Sequence, residues 1–102
     1  MKVDINGIAY EIKEVEPINS MLFVGDKRCA GTTHYHMQEI YLSQELKQDS
    51  KYSTLCHELA HAFLAETQID CKENFTEEML CEFVGMYSKR ICDIADEYFK
   101  EV

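Results

Sequence analysis

The chain has 102 residues, with 10 Lys or Arg against 19 Asp or Glu and a formal charge of −9. That length supports one hydrophobic core and one domain over residues 1–102. Direct nucleic-acid binding is disfavoured, because phosphate contacts need clustered basic residues and pairs such as Lys27-Arg28 are the most this chain offers. The longest strongly apolar run, Met21-Leu22-Phe23-Val24, is far too short to cross a membrane. Met1 to Ile5 lacks the apolar stretch of a secretory leader, so a cytoplasmic location is expected, and a basic protein partner or substrate would suit the charge of −9.

In chain order, Lys2 to Val15 reads as a β-hairpin. Val3 and Ile5 alternate with polar neighbours, Asn6-Gly7 is the preferred type I′ turn, and Ile8, Tyr10 and Ile12 continue the alternation. Pro17 ends that pattern. A second strand pair is expected from Met21 to Val24 and from Cys29 to His36, joined by a Gly25-Asp26 turn. A last strand spans Glu39 to Leu42. From about Ser50 the period becomes helical, with Tyr52, Leu55, Cys56, Leu59, Ala60 and Phe63 on one face. A loop over Gln68 to Phe75 precedes a second helix from about Thr76 to Phe99. Thr76 or Asn74 caps it, and Glu77 and Glu78 stand in its first turn, where carboxylates suit the dipole. Its apolar stripe is Leu80, Phe83, Val84, Tyr87, Ile91, Ile94, Ala95 and Tyr98. Strands first and helices after make an α+β domain, a small antiparallel sheet followed by two helices.

The five cysteines (29, 56, 71, 81 and 92) are odd in number and contain no C-x-x-C pair, which fits neither a disulfide framework nor a zinc ribbon. Cys56, Cys81 and Cys92 fall in helical stretches and read as small core residues.

The chemistry concentrates in His57-Glu58-Leu59-Ala60-His61, an H-E-x-x-H run in the first helix. Residues four apart share a helix face, so both imidazoles reach one metal ion. Glu58 projects beside them, placed to take a proton from a water that the metal acidifies. A catalytic zinc takes three protein ligands and keeps an open position. The third is not in the extended metzincin place, since Leu64 and Thr67 stand where Gly and His would be. Glu78 at the start of the second helix is the expected third ligand. Glu82, one turn on, would accept the remaining N–H of a ligating imidazole. Gly85 is expected to let the helices approach. Two histidines and a carboxylate without a thiolate favour one zinc ion. His34 or His36 in place of Glu78 is a minor alternative.

These residues resemble the ImmA/IrrE-like zinc metallopeptidases of bacteria and their mobile elements. The first motif matches as H-E-L-A-H. The second runs roughly E-x-x-A-N-x-F-A, against Glu78-Met79-Leu80-Cys81-Glu82-Phe83-Val84-Gly85 here. Glu78 takes the ligand position, while Cys81, Glu82, Val84 and Gly85 replace the family's Ala, Asn, Phe and Ala. The likeness covers about residues 38–88. It implies a small zincin-like peptidase that cuts a protein, a repressor among its relatives, near a phage or conjugative element.

The expected mechanism has Glu58 as general base and then as acid to the leaving amine. The strand Glu39 to Leu42 would hold an extended substrate by strand addition. Candidate donors to the developing oxyanion are His34, His36 and Tyr87, with Tyr35 and Tyr41 behind them. A competing reading is a zinc-stabilised protein that binds or inhibits a host partner without proteolysis. An open cleft at the metal position would favour the enzyme; four ligands closing it would favour the binder.

Overall fold

The computed structural model describes residues 1–67 and 76–101. β1 (Lys2–Ile5) and β2 (Ile8–Val15) form the expected hairpin. Asn6 and Gly7 take φ of 52° and 91°, the two positive angles a type I′ turn demands. A 3-10 turn follows at Ser20–Leu22, where the Asn19 side chain accepts from Met21 N at 2.8 Å. Then come β3 (Phe23–Val24), β4 (Lys27–Arg28), β5 (Gly31–His34) and β6 (Glu39–Ser43).

The pairing of the middle strands differs from the expectation. The Gly25-Asp26 turn is present, with Gly25 at φ 62°, but β3 pairs only with β4, as a separate two-stranded ribbon. β5 is shorter than Cys29 to His36, because the chain turns after His34 and Gln38 N donates back to Tyr35 O at 3.2 Å. His34 and His36 therefore do not share a strand face: His34 ends β5 and His36 is exposed in the turn.

The main sheet has the order β1-β2-β6-β5. Its outer pairs, β1 with β2 and β5 with β6, are antiparallel as expected. β2 and β6 run parallel, from Glu11 beside Glu39 to Val15 beside Ser43. The chain leaves β2, passes through the 3-10 turn, the ribbon and β5, and returns to enter β6 in the original direction. β6 is thus an interior strand, and among the described residues β5 is the edge on this side. An interior strand has no open ladder, which corrects the expectation that Glu39 to Leu42 receives a substrate strand.

Alternation turns Val3, Ile5, Tyr10, Ile12, Ile40 and Leu42 to the face covered by the helices. α1 (Gln48–Glu66) packs Leu55, Leu59, Ala62 and Phe63 into that core, all fully buried. α2 (Glu77–Glu101) adds Phe83, Tyr87, Ile91, Ala95 and Tyr98. Thr76 caps it, its hydroxyl oxygen accepting from Met79 N at 3.2 Å. The start of its stripe is overturned, since Leu80 and Val84 remain 48% and 50% exposed. Gly85 faces open space, with nothing within 4 Å of an added Cβ, so it is no helix-packing glycine. Cys81 and Cys92 are exposed rather than core residues, while Cys56 is partly buried, which pushes its thiol up. The expected loop Gln68 to Phe75, with Cys71 and Asn74, lies outside the described residues. Among those described, no helix is long and apolar enough to cross a membrane.

Candidate active site

α1 leans on β5 because Gly31 has no side chain. A Cβ there would lie 2.8 Å from Thr54 Cγ2, 3.1 Å from Glu58 Cγ and 3.1 Å from the Tyr41 carbonyl oxygen. This close approach brings the H-E-x-x-H turn against the edge strand. Glu58, 6% exposed, points into the seam between them. The Thr33 hydroxyl donates to Glu58 Oε1, the nearer and charged acceptor at 2.7 Å, with the Glu58 carbonyl oxygen 3.1 Å away. The other carboxylate oxygen, Oε2, is 3.9 Å from His57 Nε2. Glu58 is thus held by the strand at one oxygen and presents the other to the imidazoles.

His57 and His61 are exposed on the same face, with Nε2 atoms 3.2 Å apart. Two nitrogens bound to one tetrahedral zinc at about 2.0–2.1 Å stand about 3.3 Å apart. The imidazole pair therefore fits a single ion. Both rings line an open cleft of about 440 Å³ with Glu58, Gly31 to Tyr35, Cys29, Phe23 and Val24.

The remaining sequence candidates separate. Glu78 and Glu82 are exposed on the first turns of α2 and do not line this cleft. No three His, Cys, Asp or Glu side chains among the described residues are grouped as a metal site. The contacts that fix α2 on the core start at Phe83, beyond Glu78, and the segment joining the helices lies outside the described residues. His34 lines the cleft, but its Nε2 already sits 2.9 Å from the Met21 carbonyl oxygen and 3.0 Å from the Thr32 hydroxyl. Its ring stands edge-on to Tyr41 at 5.3 Å. His36 is outside the cleft. So is Tyr87, which is buried between Phe63 and Phe83 and whose hydroxyl accepts from Asn6 Nδ2 at 3.2 Å. Its hydroxyl is thus engaged with the turn of the first hairpin. Tyr41 hydrogen-bonds the Glu39 carboxylate at 2.8 Å and does not reach the cleft. Tyr35 lines it.

Sequence reasoning missed Thr33 and Gly31. An isolated glycine in a strand signals close approach of another element, and that signal was present at Gly31. Nothing in the sequence pairs Thr33 with Glu58.

No curated protein and no solved structure matches the chain. A family model, Peptidase_M78, described as the IrrE N-terminal-like domain, matches residues 15–82. The match is longer than the motif-based likeness and runs from the end of β2 through both walls of the cleft, all of α1 and the first turns of α2. It spans well over half the chain, which therefore belongs to the IrrE N-terminal-like domain family of peptidases.

Proposed function

We propose that the chain is a zinc-dependent metallopeptidase that hydrolyses a peptide bond in a protein substrate. The observation that carries this reading is the pair of imidazole nitrogens 3.2 Å apart beside a buried carboxylate in an open cleft. His57 and His61 would hold the ion, with Glu78 as the carboxylate ligand and Glu82 behind it. When bound, zinc supplies Lewis-acid charge at the imidazole pair.

The chain's own residues supply the proton transfers and the alignment. Glu58 takes a proton from the attacking water at Oε2 and returns it to the departing amine. Thr33 holds Oε1, so the carboxylate does not rotate away between the two transfers. β5 offers the substrate an edge. Ser43 N donates to Ala30 O at 2.9 Å, so residues 30, 32 and 34 turn their backbone groups to β6. Gly31 and Thr33 turn theirs outward, where an extended peptide can pair beside Glu58.

Native mass spectrometry of wild type, Glu78→Ala and Glu58→Gln tests the assignment. One zinc is expected in wild type and in Glu58→Gln, with markedly weaker retention in Glu78→Ala. Glu58→Gln is expected to lose cleavage of a peptide library. Cleavage at the wild-type rate by Glu58→Gln would remove Glu58 from the chemistry, and zinc retention indifferent to Glu78 would move the third ligand elsewhere.

A further inference from the structure

The cleft does not stop at Glu58. One arm, about 440 Å³, is walled by Phe23, Val24, Tyr35 and His61. A second, about 460 Å³, is walled by Lys27, Arg28, Ser53 and Thr54. Cys29, Gly31, His57 and Glu58 line both, so these are two arms of one trough that meet at the candidate base. A single hairpin forms the outer wall of each. β3 faces the first arm and β4 the second, with Phe23 paired to Arg28 and Val24 to Lys27.

The two walls differ in chemistry. Phe23 and Val24 are 37% and 66% exposed, and Tyr35 is exposed beside them, which leaves apolar area on the lip of a cleft. The other wall is basic in a chain of net charge −9. Arg28 faces Glu45 at 3.5 Å, with both side chains about half exposed. An exposed pair of that length contributes little and exchanges readily for another carboxylate.

We propose that the β3–β4 hairpin selects the substrate, a peptide segment with a large apolar residue on one side of the cut bond and an Asp or Glu on the other. This rests on the peptidase reading and adds the sequence class that the site accepts. An extended chain advances about 3.3 Å per residue, so a segment paired along Gly31–His34 covers four residues, and we assign the two selected residues to its ends, three positions apart. Lys27 and Arg28 locally reverse the field of an acidic protein, which would otherwise repel an acidic segment.

The test uses the full chain as Glu58→Gln, loaded with zinc, and short fluorescein-labelled peptides read by fluorescence anisotropy. The peptides carry Phe and Asp at that spacing in both orders, with matched versions in which Lys replaces Asp or Ser replaces Phe. Binding of one Phe/Asp order is expected to be about tenfold tighter than of its Lys counterpart. Adding Lys27→Glu and Arg28→Glu should invert that charge preference. Phe23→Ser with Val24→Ser should erase the Phe preference while sparing the charge preference. Equal binding of Asp and Lys peptides, no binding, or a preference indifferent to Lys27→Glu and Arg28→Glu would overturn the selection. Wild-type cleavage of the same peptides separates the two readings. Cleavage without preference overturns the selection alone, whereas selective binding without any cleavage overturns the peptidase reading and leaves the selection standing.

Discussion

At the scale of single residues the site depends on two small ones beside Glu58. Thr33 fixes one carboxylate oxygen across the helix–strand seam. Thr33→Val keeps the shape of the side chain and removes the donor, so Glu58 loses its anchor while His57 and His61 are untouched. The expected outcome is a fall in kcat of about tenfold to a hundredfold with KM and zinc content unchanged, and recovery in Thr33→Ser. A structural role alone would show instead as a loss of folded protein that Ser and Val share. Gly31→Ala tests the seam itself. Its Cβ would meet Thr54 Cγ2 at 2.8 Å and two further atoms at 3.1 Å, one of them backbone. The clash should cost about 1–3 kcal/mol, or several degrees of Tm for a domain of this size. Thr54→Ser, which deletes the nearest methyl, should restore part of that loss in thermal melts. The motif was legible because helix periodicity alone places His57, Glu58 and His61 together. Thr33 was not, since a strand's alternation says which way a side chain points and nothing about what it meets.

The elements show a similar division. The first hairpin was legible because Asn6-Gly7 fixes both the turn and the register, and the helices because their apolar periods are long. The parallel neighbour of β2 was not, for alternation is satisfied equally by any partner strand with an apolar inner face. That one ambiguity moved the proposed substrate edge from β6 to β5. At α2, periodicity marked Leu80 and Val84 as core, but Leu80 precedes the first buried core residue of the helix, Phe83, and Val84 faces outward beside it. The N-terminal hairpin also reaches α2 through its turn. Asn6 Nδ2 donates to Tyr87, and Arg90 Nη1 donates to Asn6 Oδ1 at 2.7 Å. Arg90 also lies over the Phe63 ring at 4.9 Å. Asn6→Gly preserves the positive φ and deletes both bonds. It should lower stability by about 1 kcal/mol in urea denaturation and raise hydrogen exchange in the middle of α2 before that in β2. Equal exchange in both elements would mean that the turn does not hold the helix.

Over the whole molecule, the sheet is tied to both helices by Glu14, which stands in the same cross-strand row as Leu42 and Gly31. Lys51 of α1 donates to it at 2.8 Å, and Tyr98 of α2 donates to its other oxygen. Burial pushes the Glu14 carboxyl up, but the two hydrogen bonds and the Lys51 charge outweigh it and hold the group below its ordinary value. Tyr98 is pushed up, by burial first and then by its bond to Glu14. The signs set two windows. A depressed carboxyl stabilises the fold above its unfolded pKa, about 4.3, and loses that contribution as pH falls through the folded value. A raised phenol stabilises it below its unfolded pKa, about 10, and loses that contribution as pH rises beyond. Total stability will not display this cleanly, because acid also neutralises the self-repulsion of a chain carrying −9. Differences between variants cancel that background. In urea denaturation across pH, wild type should exceed Glu14→Gln by a constant margin near neutrality, and the margin should shrink below about pH 4. The margin over Tyr98→Phe should shrink above about pH 10. Margins constant at both extremes would mean that Glu14 and Tyr98 titrate alike in the folded and unfolded chain, and that apolar packing alone joins the sheet to the helices around Glu14.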